Sequence, residues 1–200
     1  MSMISVKTYE APKVNRREAL RYAGVKESGP EMEALLDECL KLADGKLSYR
    51  VCWAEYPIAM DGEELDLGLV KLQSHSRMRN LQGCSRIVLF AATIGMEMDR
   101  LIARYARVSP AKSHMLQAVG VERIESLCDL FNDEITQAAG GCTRPRFSPG
   151  YGDVNITVQR DVFRALDLSK ALGIILNDNC FMVPSKSVTA IIGVGERRDT

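Results

Sequence analysis

Between Pro145 and Gly152 the chain carries two prolines and two glycines (Pro145, Pro149, Gly150, Gly152), in the run Arg144-Pro-Arg-Phe-Ser-Pro-Gly-Tyr-Gly-Asp153. That density forbids a regular helix or a central strand and fixes a particular path of turns. Two arginines, a serine and a tyrosine are displayed along it. From turn chemistry alone the stretch is either a rigid surface loop with solvated arginines or a loop that presents those groups to a ligand. A later run, Val183-Pro-Ser-Lys-Ser-Val-Thr-Ala-Ile-Ile-Gly193, is its expected companion, ending in a buried strand over Val188–Val194.

The surrounding periodicities set the class. Ser109-Pro110 opens the longest predicted helix, reaching about Ala138, with Met115, Val119, Ile124, Leu127, Leu130, Phe131 and Ile135 on its apolar side and Gly140-Gly141 closing it. Earlier, Asn15 is placed to cap a short helix from Arg16 to Ala23, and Ser28 with Pro30 to open a second one ending near Asp44. Alternation at Leu47, Tyr49, Val51 and Trp53 reads as a half-buried strand stopped by Pro57, paired with a second run at Leu65, Leu67 and Leu69. A short helix is expected from Arg77 to Gln82, an apolar strand over Ile87–Thr93 and a helix over Met96–Ala106. After the loop come helices near Thr157–Leu166 and Leu168–Leu172, and a strand from Ile174. Strands and helices do not alternate strictly, so the expected class is α+β with a largely antiparallel sheet, as a single domain over 1–200.

Composition narrows the function classes. Lysine plus arginine and aspartate plus glutamate both number 26, with no long run of either sign, which argues against a nucleic-acid groove or an anionic membrane surface. No apolar run reaches the roughly 18 residues of a membrane span, and the N-terminal residues lack a signal-peptide apolar region, so a cytoplasmic location is expected. Six scattered cysteines read as reduced, buried small hydrophobes, and two distant histidines make a metal centre a remote prospect.

Arg146-Phe-Ser-Pro-Gly-Tyr151, preceded by a long helix that contains Glu125, resembles the activation domain of cobalamin-dependent methionine synthase, whose Arg-x-x-Pro-Gly-Tyr loop holds S-adenosylmethionine. The chain as a whole is similar to the short stand-alone proteins of that family, through Asn15-Arg-Arg-Glu-Ala-Leu-Arg-Tyr-Ala-Gly24, Ala91-Ala-Thr-Ile-Gly95 and Pro184-Ser-Lys-Ser-Val188. The resemblance implies a helmet-shaped α+β domain with a bent antiparallel sheet and flanking helices. It also implies S-adenosylmethionine as ligand. Arg146 would pair with the methionine carboxylate, Ser148 and Gly150 would offer backbone contacts, Tyr151 its ring or hydroxyl, and Glu125 a hydrogen bond to the ligand's polar groups.

In that family the cobalt of the cofactor is rescued by one-electron reduction coupled to methyl transfer from S-adenosylmethionine. No corrinoid module fits in this chain, so cobalamin would be reached only through a partner methionine synthase, with a flavodoxin- or ferredoxin-like protein as electron donor. This sequence departs from the domain where Gly152-Asp-Val-Asn-Ile-Thr157 replaces a Pro-Ala-Cys-Pro segment, and where tyrosines near the sheet's end fall on Ser187 and Val188. Two functions are therefore carried forward: a stand-alone reactivation factor, and an interaction module that docks on a corrinoid methyltransferase without binding a small molecule.

Overall fold

The computed structural model describes residues 3–61, 64–66, 71–73 and 79–195. Its main sheet has the order β1-β2-β6-β9, all antiparallel, with β1 at Ser5–Thr8, β2 at Arg50–Pro57, β6 at Cys84–Thr93 and β9 at Ser187–Gly195. Small ladders join β3 (Ala59–Asp61), β4 (Glu64–Asp66) and β5 (Lys71–Gln73), and separately β7 (Ile175–Leu176) and β8 (Met182–Val183). The helices are α1 (Arg16–Tyr22), α2 (Pro30–Ala43), α3 (Glu97–Tyr105), α4 (Pro110–Ala138), α5 (Gln159–Leu166) and α6 (Leu168–Ala171). The expected α+β class with an antiparallel sheet is what the chain adopts. None of the described helices is long and apolar enough to cross a membrane.

The sheet is buried on both faces at β6 and β9, which explains why those two strands read as near-continuous apolar runs. Val88, Phe90 and Ala92 of β6, with Ala190, Ile192 and Val194 of β9, pack beneath α1, α2 and α4. The intervening Ile87, Leu89, Ala91 and Ile191 face the opposite layer of Phe147, α5 and α6. Each large apolar side chain fully removed from water contributes roughly 1.5–3 kcal/mol. The pivot of the first layer is Phe131 on α4, whose ring lies 4.8 Å from that of Phe90 and 5.3 Å from Trp53, so the tryptophan packs on the core. Gly120 lets α4 approach its neighbours: a Cβ there would sit 2.7 Å from Lys186 Cε and 2.8 Å from Met98 Cγ.

Several sequence expectations are corrected. Leu47 and Tyr49 precede the strand, which runs from Arg50 through Pro57. Proline is tolerated at its end because β1 pairs only with Arg50–Trp53, so at Pro57 no ladder bond is needed on that side. The partners of β2 are β1 and β6; the run near Leu65 belongs to the β3-β4-β5 ladder, and Leu67 and Leu69 lie outside the described residues. The expected helix at Arg77–Gln82 is described only from residue 79 onward, where 79–81 are helical. Gly29 rather than Ser28 caps α2, and Leu130 on α4 is exposed.

The N-terminal segment is fastened to α4 by a buried ion pair. Glu122 and Arg123, 1% and 3% exposed, lie 2.5 Å apart; Glu122 accepts from Asn15 N at 2.8 Å, while Arg123 donates to the carbonyls of Pro12 and Lys13. The pair spends its remaining hydrogen-bonding capacity on backbone that would otherwise be stranded in a low-dielectric interior.

Candidate functional site

The loop after α4 is sewn onto the outer edge of β9. Gly195 donates to Cys142 O, Arg144 N donates to Gly193 O, and Phe147 and Ile191 exchange both backbone hydrogen bonds at 2.8 and 3.0 Å. Buried Phe147 then anchors the loop in the second core layer. Beyond it the chain turns away through Gly150 N to Val154 O and Tyr151 N to Ser148 O. The constraint on Gly150 is conformational: its φ is +88°, and a Cβ would meet Ile156 Cδ1 at 2.8 Å.

Where the loop leaves the sheet edge, a cleft of about 800 Å³ opens. Glu125 of α4 and Arg146, Ser148 and Tyr151 of the loop line it. The far wall comes from Ile156, Gln159, Phe181 and Met182, and the start of β9 supplies Ser187, Val188 and Thr189. Four of the five sequence-selected residues therefore share one cavity, and Gly150 shapes the turn beside it. Ser187 and Val188, where the sequence departs from the resembled domain, also lie on its wall.

The cleft is charged at one place and otherwise neutral. Arg146 donates from Nη2 to Glu125 Oε2 at 2.8 Å and from Nη1 to Asp129 Oδ1 at 2.6 Å. Burial works against its charge, yet the bond to Asp129 and neighbouring charges outweigh that, so its affinity for the proton is raised. Glu125 and Asp129 are four apart on α4, hence on one helix face. Asp129 escaped the sequence reading, and that spacing is the signal that could have found it. The mouth is apolar, with Tyr151 71%, Phe181 69% and Ile156 41% exposed. Burial of Cys128 just beneath Arg146 pushes its thiol pKa up, which keeps it protonated and unreactive.

No protein-family model matches the sequence, and no curated protein matches it. A solved structure does: the crystal structure of the MetH reactivation domain bound to AdoHcy superposes with a TM-score of 0.73, covering 99% of this chain and 80% of that one at 13% sequence identity. The fold is that of the MetH reactivation domain. At 13% identity the likeness to that reactivation domain speaks for architecture, and the cleft's chemistry has to be argued from its own residues.

Sequence reasoning also missed Gln159. It opens α5 on the buried stripe shared with Val162 and Leu166, and a polar residue on an apolar helix face was the available signal.

Proposed function

We propose that this chain binds S-adenosylmethionine in the cleft and presents it to the corrinoid of a separate cobalamin-dependent methionine synthase, acting as that enzyme's reactivation factor. The observation that carries the reading is the Arg146–Glu125 pair opening onto an apolar cleft. An α-amino acid end group has a carboxylate and an ammonium a few ångströms apart, and a guanidinium beside a carboxylate is its mirror in charge. The fold likeness to a reactivation domain bound to AdoHcy supports the same ligand class.

In this reading Arg146 holds the carboxylate, Glu125 takes the ammonium, and Ser148 and Tyr151 close the loop side. Gly150 holds the turn that sets Ser148 and Tyr151. S-adenosylmethionine supplies the methyl group; the protein supplies placement. The exposed Tyr151, Phe181 and Ile156 at the mouth form the face that meets the corrinoid partner, and a flavodoxin- or ferredoxin-like protein supplies the electron. All of this takes place in the cytoplasm, within one domain spanning 1–200.

That apolar rim also favours a second reading, an interaction module that covers the corrinoid without a small-molecule ligand. Reactivation separates the two. A methionine synthase lacking its own activation domain, with its cobalt oxidised, is given a one-electron reductant, S-adenosylmethionine and this chain. The first reading predicts return of the methylcobalamin spectrum only when all are present. The second predicts complex formation that S-adenosylmethionine does not affect.

A further inference from the structure

Gln159 is 4% exposed, lines the cleft, and makes no side-chain hydrogen bond among the described residues. Its amide is not among the buried unpartnered groups of the described residues, so it keeps access to the cleft, where a ligand's polar edge can satisfy it. On the β9 wall of the same cleft, Thr189, 2% exposed, carries a hydroxyl that likewise lacks a partner. These two neutral polar groups line the cleft together with Phe147, Ile156, Phe181 and Met182, a lining that suits a flat uncharged ring, whereas the charges of the cleft are gathered at Arg146 and Glu125.

We infer that Gln159 reads the nucleobase: its carboxamide, one donor face and one acceptor face, hydrogen-bonds the 6-amino group and the adjacent ring nitrogen of adenine. A carboxamide is the side chain whose paired donor and acceptor match that edge. Thr189 supports the same end of the ligand. The inference rests on the S-adenosylmethionine reading above and adds which residue selects the base.

The test uses the intact chain and calorimetric titration with three probes: S-adenosylhomocysteine; 5′-methylthioadenosine, which lacks the amino-acid end; and the 5′-methylthio purine nucleoside with hydrogen in place of the 6-amino group. The unmodified protein binds 5′-methylthioadenosine about tenfold tighter than its desamino analogue, the value of one or two hydrogen bonds. Gln159→Met, near-isosteric and apolar, loses that preference and weakens both adenosine probes by the same factor, with an unchanged or raised Tm. Arg146→Ala weakens S-adenosylhomocysteine alone.

Binding of S-adenosylhomocysteine but equal affinity for the two nucleosides, or no binding of 5′-methylthioadenosine at millimolar concentration, overturns the inference and leaves the reactivation reading standing. A Gln159→Met effect confined to S-adenosylhomocysteine does the same, because it places Gln159 at the amino-acid end. Loss of folding in both Gln159→Met and Gln159→Glu also overturns it, by showing that the amide serves the fold. No binding of any probe by the unmodified protein overturns both.

Discussion

Arg146 Nη2 lies 2.8 Å from Glu125 Oε2, so the cation and anion that together suit an amino-acid zwitterion are joined to each other across the cleft wall. A ligand carboxylate therefore competes for a guanidinium that already has two carboxylate partners, Glu125 and Asp129.

Asp129 makes the shorter contact, 2.6 Å against 2.8 Å for Glu125, but its side chain is 65% exposed, and solvent holds pairs in that setting to about 0–1 kcal/mol. Asp129→Asn removes its charge and frees one edge of the fork. Affinity for S-adenosylhomocysteine should rise by up to about fivefold, with little change in Tm. Titration calorimetry with the variant beside the unmodified protein checks this, and weaker binding would mean that Asp129 positions Arg146 rather than occupying it.

Gly150→Ala should loosen the loop without touching the core. The left-handed φ costs an L-residue about 1–2 kcal/mol, and the contact with Ile156 adds to it. The expected readout is faster proteolysis between Ser148 and Asn155 and weaker ligand binding. An unchanged loop would show that the turn tolerates a side chain.

Glu122→Ala should be the most damaging single change away from the cleft. It strands the buried guanidinium of Arg123 and the backbone N–H of Asn15, and breaking a buried pair from one side costs about 3–5 kcal/mol. Denaturant unfolding should register most of that loss. A cost under about 1 kcal/mol would show that Arg123 finds another partner.

The pH dependence has a defined sign at Glu134. Its hydrogen bond from Lys7 at 2.7 Å, outweighing burial and joined by that from Tyr9, holds its carboxyl below the ordinary value of 4.5. The stability it contributes is fully present above that value and is lost as pH falls through the lower folded-state value. Melting curves between about pH 5 and 3 should flatten in Glu134→Gln. An identical slope in both proteins would assign the acid sensitivity elsewhere.

Long, strongly patterned elements were legible in the sequence because local signals and packing agree there. Helix α4 begins at Pro110 and ends at Ala138 before Gly140-Gly141, as the apolar stripe and glycine pair predict. Strand β1 was not legible: four residues, three of them exposed, have no alternation to show, and only pairing with β2 makes them a strand. The site divides the same way. Turn chemistry singled out the loop of Arg146, but Gln159 and Phe181 reach the cleft through the return path of the chain after it; Gln159 is marked only as a polar residue on an apolar helix face, and the convergence itself leaves no local mark.

The most direct test of the central claim is calorimetric titration of S-adenosylmethionine into the unmodified chain and into Arg146→Ala, with Tm measured on both. Removing Arg146 takes away a charge-assisted hydrogen bond of about 1.5–3 kcal/mol to the ligand, so saturable binding should weaken about ten- to hundredfold. The melting temperature should barely move, since Glu125 and Asp129 are exposed enough to be solvated on their own. Undetectable binding to the unmodified chain at millimolar ligand, with its corrinoid partner present, would contradict the account.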